Sequence, residues 1–158
     1  MNFEKVIFIP AKTSPFKRDI KSTSFCHRLN MVKLAIEGNK NLDVSDIEGK
    51  RQGISYSYDT IVEMKKKYRN VCLIIGDDQA SEFDKWHRWK DILDLVDVYV
   101  LRRKCQRRKL LSGLILLKNR IIDISSTEIR GRIRGGLPID YLVPERVKDY
   151  IIKNKLYK

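Results

Sequence analysis

The chain has 158 residues, enough for one domain with a proper core. Its 42% hydrophobic and 34% charged residues exclude a disordered chain, and no apolar run approaches the roughly 18–20 residues of a membrane span. The formal charge of +13 admits a nucleic-acid partner held by a basic stripe, the steering of small polyanions such as nucleotides into a cleft, or a merely lysine-rich background, and charge alone does not choose among them.

The first apolar run, Val6-Ile7-Phe8-Ile9, is too short for the core of a signal peptide and stops at Pro10. Four consecutive apolar residues closed by proline predict a fully buried strand over 6–9. After a polar, basic loop over 11–22, a helix is expected from Thr23 or Ser24 to Gly38, with Leu29, Val32, Ala35 and Ile36 on one face and Gly38 as its stop. Weak alternation over 42–47 predicts a strand. Ser57 is placed to cap a helix over 58–68, with Asp59 in its first turn and Lys65-Lys66-Lys67 complementing the dipole at its end. The segment 71–75 is the clearest buried strand and breaks at Gly76-Asp77-Asp78. A helix over 89–95 and a strand over 98–101 follow, the strand running into Arg102-Arg103-Lys104. Residues 121–124 are expected as the next strand, leading to a helix opened at Thr127. Pro144 sits where proline fits the first helical position, and a closing helix carries Val147, Tyr150 and Ile151. Cys26, Cys72 and Cys105 form neither an even set nor spaced pairs, which favours a reducing cytoplasm and buried thiols over disulfides or zinc.

Strands alternating with helices at this spacing predict a doubly wound, mostly parallel, Rossmann-like α/β sheet over a single domain, 1–158. Ligands bind such sheets beyond the carboxyl ends of the strands. The polar segments 10–17, Gly76-Asp77-Asp78, Arg102-Arg103 and 125–130 all fall at expected strand ends, which favours a nucleotide crevice.

The most informative stretch is Ile124-Ser125-Ser126-Thr127-Glu128-Ile129-Arg130. A helix entry offers amides with no internal partner, the hydroxyls add donors, and Arg130 lies on the same face as Thr127, three residues earlier. Phosphate matches that donor set, because a guanidinium fork fits its oxygens. The competing reading is a plain Ser/Thr helix cap.

Several ordered motifs resemble the bacterial nicotinate-nucleotide adenylyltransferases, in the nucleotidyltransferase branch with an HxGH signature. They are Ile9-Pro10 with Ser14-Pro15-Phe16-Lys17, Tyr56-Ser57-Tyr58-Asp59-Thr60, Ile74-Ile75-Gly76-Asp77-Asp78, Trp86, Arg102-Arg103, the segment 124–130, and Leu142-Val143-Pro144 through Tyr150-Ile151 to Leu156-Tyr157. The resemblance implies transfer of AMP from ATP to nicotinate mononucleotide, giving deamido-NAD and pyrophosphate in NAD biosynthesis. It implies ATP and nicotinate mononucleotide as partners and Mg2+ arriving with ATP; it argues against nucleic acid and leaves a homo-oligomer open. Residue by residue, Lys17, Arg103, Ser126, Thr127 and Arg130 match positions facing the ATP phosphates. Ser57, Asp78 and Trp86 match positions for the mononucleotide: the nicotinate carboxylate, the ribose and the pyridine ring. The structural alternatives are a solvated loop for Lys17, a helix cap for Ser57, a structural contact for Asp78 and a core position for Trp86, with Trp89 the stronger core candidate. Phe16 stands where the family usually has histidine.

The family's first strand and GTFDPxHxGH turn have no counterpart here. The two histidines, His27 and His87, match no such motif: His27 reads as a surface or capping residue, His87 as a partly exposed one beside Trp86. No catalytic residue is therefore identifiable. The expectation is an absent central strand between 6–9 and 71–75, from a start codon placed too late or a degraded gene, and a chain that is inactive as it stands. Two other functions stay open: an adenylyltransferase for another acceptor, such as nicotinamide mononucleotide or phosphopantetheine, and a non-catalytic basic protein binding nucleotide or RNA.

Overall fold

The computed structural model describes residues 3–16, 23–103 and 110–158. In chain order the elements are β1 (Val6–Phe8), α1 (Phe25–Ile36), β2 (Leu42–Val44), α2 (Ile47–Lys50), α3 (Ser57–Lys67), β3 (Cys72–Gly76), α4 (Asp77–Ala80), a 3-10 turn (Phe83–Lys85), α5 (Trp89–Leu95), β4 (Asp97–Leu101), β5 (Leu114–Leu116), α6 (Ser126–Arg134) and α7 (Glu145–Lys153). They form two compact units, Met1–Ser55 with Ile124–Lys158, and Tyr56–Asp123. Every strand pair among the described residues is parallel, as the strand–helix alternation predicts. No described helix is long and apolar enough to cross a membrane.

In the first unit β1 pairs with β2, Val6 opposite Leu42 and Phe8 opposite Val44, and α1 is the crossover between them. Ser24 caps α1, its hydroxyl accepting from the His27 N–H at 3.4 Å. Gly38, at φ +84°, takes the left-handed turn just beyond the helix, where a side chain would be strained. Met31 and Leu34 of α1 pack with Ile129 and Ile133 of α6 around a buried cluster of Ile139, Val147 and Ile151. The Tyr150 hydroxyl ties α7 to α1, lying 2.9 Å from His27 Nδ1 and accepting from Asn30 Nδ2 at 3.1 Å. His27 is therefore an interhelical bridge rather than a surface or capping side chain.

In the second unit the sheet order is β3-β4-β5. β4 is hydrogen-bonded on both edges, so Val98, Tyr99 and Val100 are all buried. It, and not the strand expected over 71–75, is the most buried strand: in β3 Ile75 alone is buried, and its neighbours are half-buried. Phe83 and Ile92 reach 0% exposure and join Ile61, Ile75, Val96, Val98 and Val100 in one core.

Several expectations are corrected. Residues 121–124 form no strand; Ile122 is 72% exposed, and the strand next to β4 is β5, followed by the Leu117 N–H donating to the Val100 carbonyl at 2.9 Å. The turn at Gly113, with φ +92°, sets Leu114 against β4, whereas the isoleucine pair is interrupted by Asp123 before it can pair. β1 is half-buried rather than fully buried, with Phe8 exposed, because β2 is its one partner among the described residues. The caps also shift by a residue or two. Tyr56 caps α3, its carbonyl accepting from the Thr60 N–H at 3.3 Å, so Ser57 lies inside the helix. Ser125 and not Thr127 opens α6, and Pro144 is the cap of α7 rather than its first residue. Of the cysteines, Cys26 is exposed on the first turn of α1 and Cys72 half-buried. Burial first, and Asp97 second, push the Cys72 thiol up, away from a nucleophilic thiolate. Cys105 lies outside the described residues.

Candidate functional site

The parallel register of the second unit builds one group of predicted residues. Gly76 pairs with Leu101 as the last rung between β3 and β4, so Asp78 and Arg103 each sit two residues past it. They meet there, Arg103 Nη1 lying 3.5 Å from Asp78 Oδ2, with both side chains about half exposed at 52% and 55%. A pair that open is worth little as a stabilising bridge and leaves most of its donors and acceptors free for a ligand. Gly76 makes the close approach possible: a Cβ there would overlap Asp78 Oδ1 and come within 3.0 Å of Arg103 Cδ.

The backbone of Arg102, next to Arg103, is held by a residue the sequence did not single out. The Asn119 amide accepts from the Arg102 N–H at 3.0 Å and donates to the Arg102 carbonyl at 2.9 Å. The side chain thus acts as one more rung of ladder beyond β4. A third bond, to the Arg120 carbonyl at 2.8 Å, fixes the amide. An asparagine between two basic residues carries no pattern signal for this role.

The segments bearing Ser57 and Trp86 also come together, although they are far apart in sequence. The Tyr56 and His87 rings are 4.4 Å apart, and the Arg88 guanidinium lies 3.8 Å over the Tyr58 ring. With Tyr56 as the cap, the helix-cap alternative for Ser57 falls away, and its half-buried hydroxyl has no hydrogen-bond partner among the described residues. Trp86 and Trp89 both pack at the edge of the core, half-buried. Trp86 leans on Phe83 with ring centroids 5.1 Å apart, and its indole N–H is buried without a partner among the described residues.

The first unit carries the other group. Ser125 Oγ accepts from the Glu128 N–H at 3.1 Å, which satisfies one first-turn amide of α6. Ser126 and Thr127 are exposed first-turn residues, so the cap reading does not account for their hydroxyls. Arg130 Nη2 donates to Thr127 Oγ1 at 3.1 Å, which confirms the shared face. The arrangement offers unpartnered first-turn amides, two hydroxyls and a guanidinium, the donor set an oxyanion takes. Lys17 lies outside the described residues. A groove of about 560 Å³ between the end of α1 and the start of α7, lined by Leu34, Gly38, Pro144 and Arg146, contains none of these residues; the Arg146–Glu37 ion pair closes over it.

A profile of the cytidylyltransferase-like family matches residues 2–132. The probable nicotinate-nucleotide adenylyltransferase of Borreliella burgdorferi is 40% identical over 161 residues, covering 99% of this chain and 83% of that protein. The chain belongs to the nicotinate-nucleotide adenylyltransferase family. The probable enzyme of the same name from a Hydrogenobaculum strain is 37% identical, over 98% of this chain and 82% of its own length. Among solved structures, a nicotinic acid mononucleotide adenylyltransferase from Plasmodium falciparum, complexed with NaAD, matches with a TM-score of 0.76 and 20% identity over 98% of this chain and 82% of that one. A protein from Vibrio parahaemolyticus described as a putative nicotinate-nucleotide adenylyltransferase matches at 0.74 and 19%, over 98% and 79%. These two structures carry the fold: parallel sheets with helices, of the α/β nucleotidyltransferase type. The family is a family of enzymes.

Proposed function

We propose that this chain serves the transfer of AMP from ATP to nicotinate mononucleotide, yielding deamido-NAD and pyrophosphate in NAD biosynthesis. The mononucleotide phosphate oxygen attacks the α-phosphorus, the new P–O bond forms, and the α–β bridge breaks with its electron pair leaving on pyrophosphate. Such a displacement needs no protein nucleophile; positioning and neutralisation of the developing charge are what a protein can supply. The observation that supports the acceptor assignment is that the segments bearing Ser57 and Trp86 touch, through Tyr56 with His87 and Tyr58 with Arg88. A hydroxyl and an indole are what a pyridine ring with a carboxylate takes. Trp86 stacks on the ring, Ser57 donates to the carboxylate and Asp78 accepts from the ribose. Arg103, Ser126, Thr127, Arg130 and Lys17 bind the triphosphate.

The described residues contain no group of three or more His, Cys, Asp or Glu side chains able to cage a metal. Mg2+ would arrive on the triphosphate with most of its water and would neutralise phosphate charge there. The 158 residues include no HxGH element, and the two histidines have other engagements: His27 with Tyr150, His87 with Tyr56. The chain's own contribution is thus substrate binding and alignment.

Tryptophan fluorescence titration tests this. Nicotinate mononucleotide should quench emission by stacking on Trp86, and nicotinamide mononucleotide and phosphopantetheine should bind more weakly. Equal binding of the amide would remove the role given to Ser57. Failure of nicotinate mononucleotide to bind, with tight binding of single-stranded RNA, would favour the basic nucleic-acid-binding alternative.

A further inference from the structure

Arg88 takes a backbone conformation that is costly for a residue with a side chain. It is a non-glycine residue with φ +57° and ψ +38°, at the entry to α5. L side chains pay a steric penalty in this left-handed region. Glycine would fit the turn better. What arginine adds is its head group. Nε donates to Asp91 Oδ2 at 2.6 Å, one turn into α5, while the guanidinium lies 3.8 Å over the Tyr58 ring at the start of α3. One side chain therefore joins the loop after Trp86 to the helix that carries Ser57. His87, between Trp86 and Arg88, makes a second ring contact one residue away, to Tyr56 at 4.4 Å. The two contacts flank Ser57 on one side and adjoin Trp86 on the other.

Trp86 shows why such a clamp is needed. Its indole N–H is buried with no partner among the described residues, an arrangement that is unfavourable and that the ring would escape if its loop were free. Its backbone N–H donates to the Phe83 carbonyl at 3.0 Å and its carbonyl accepts from the Trp89 N–H at 3.2 Å, which fixes the main chain and leaves the orientation of the loop toward α3 to the flanking side chains.

We infer that Arg88 is a positioning residue for the acceptor: its left-handed backbone and its bridge from Asp91 to Tyr58 hold the Trp86 loop against α3, presenting Trp86 and Ser57 to the pyridine nucleotide as one preformed surface. The inference rests on the acceptor assignment proposed above.

The decisive comparison is Arg88→Gly, because glycine relieves the backbone while deleting the clamp. The chain has two tryptophans, so a Trp89→Phe background isolates Trp86 emission. In that background Arg88→Gly should melt no lower than its parent, yet expose Trp86 to acrylamide quenching without ligand. It should also raise the Kd for nicotinate mononucleotide about three- to thirtyfold, the range for losing a cation–π contact, with the Kd for ATP unchanged. Arg88→Lys should recover part of the effect. Tyr58→Phe should behave as the parent and Tyr58→Leu as Arg88→Gly. Unchanged quenching and unchanged mononucleotide affinity in Arg88→Gly would overturn the inference, as would an equal loss for both substrates. If the parent chain does not bind nicotinate mononucleotide, the acceptor assignment fails, and ligand-free quenching still decides whether Arg88 holds the loop.

Discussion

Replacing Gly76 by alanine separates the stability of the β3–β4 edge from its chemistry. Gly76 has φ −78° and ψ 159°, extended backbone open to any residue. The substitution therefore costs nothing in conformation and restricts the unfolded chain, a gain of about 0.4–1 kcal/mol. The new methyl group collides with Asp78 Oδ1 and crowds Arg103 Cδ. Both belong to half-exposed side chains that can swing away, so the losses are one exposed ion pair, about 0.2–1 kcal/mol, and some rotamer strain, about 0.5–1.5 kcal/mol. These terms nearly cancel. A domain of this size shifts Tm by roughly 2–4 °C per kcal/mol, so the melting temperature should move by no more than a few degrees. Binding should respond far more. Charge-assisted contacts to a nucleotide are worth about 1.5–3 kcal/mol each, so displacing Asp78 and Arg103 should weaken the mononucleotide and ATP by about ten- to a hundredfold apiece. Thermal melts and separate titrations with the two substrates measure both quantities. A large fall in Tm would show that the methyl group meets something rigid. Wild-type affinity for both substrates would show that neither Asp78 nor Arg103 touches them.

Three further outcomes follow from the same geometry. Arg130→Ala should weaken ATP by an amount matching a charge-assisted phosphate contact, ~1.5–3 kcal/mol, while Trp86→Ala should weaken the mononucleotide by at least ~0.5–1.5 kcal/mol of lost stacking; titrations in which both variants bind both substrates normally would dissolve the two-pocket assignment. Asn119→Ala removes three hydrogen bonds, two of them to Arg102, and should weaken ATP through Arg103 while costing about 0.5–1.5 kcal/mol of stability per bond; an unchanged ATP titration would show that the clamp is structural only. The hydrogen bond from Lys148, then its charge, hold the Asp140 carboxyl below its ordinary value. Its contribution to stability is therefore complete above the unfolded carboxyl's pKa and lost as pH falls through the lower, folded one. Asp140→Asn should flatten the acid side of the Tm–pH curve, and an identical curve would discount the pair.

The longer helices were largely legible in the residues, because their signals are local. α5 matches its expected span, and α1 begins at its serine cap and ends just before its glycine. What escaped was decided by partners distant in sequence. Residues 121–124 have more β-branched character than Leu114–Leu116, yet the latter pair with β4, since a strand needs a neighbour's free edge and not only a propensity. Ser57 has better capping chemistry than Tyr56, but the tyrosine carbonyl closes the first turn. In the site, the Thr127–Arg130 contact was readable from a three-residue helical spacing. The Asp78–Arg103 pair required the register of two strands, and the Arg88–Tyr58 and His87–Tyr56 contacts required a loop to fold back on a helix start. No periodicity encodes either.

The most direct test is product formation from ATP and nicotinate mononucleotide, followed by chromatography with mass detection of deamido-NAD and by pyrophosphate release. It should be run on the 158-residue chain alone and on the chain with a strand bearing an HxGH element fused ahead of it. The 158 residues hold no HxGH element, so the chain alone should bind substrates without turnover, and the fused protein should release deamido-NAD and pyrophosphate in equal amounts. A folded fused protein that binds both substrates and makes no deamido-NAD would contradict the account, and so would rapid turnover by the chain alone.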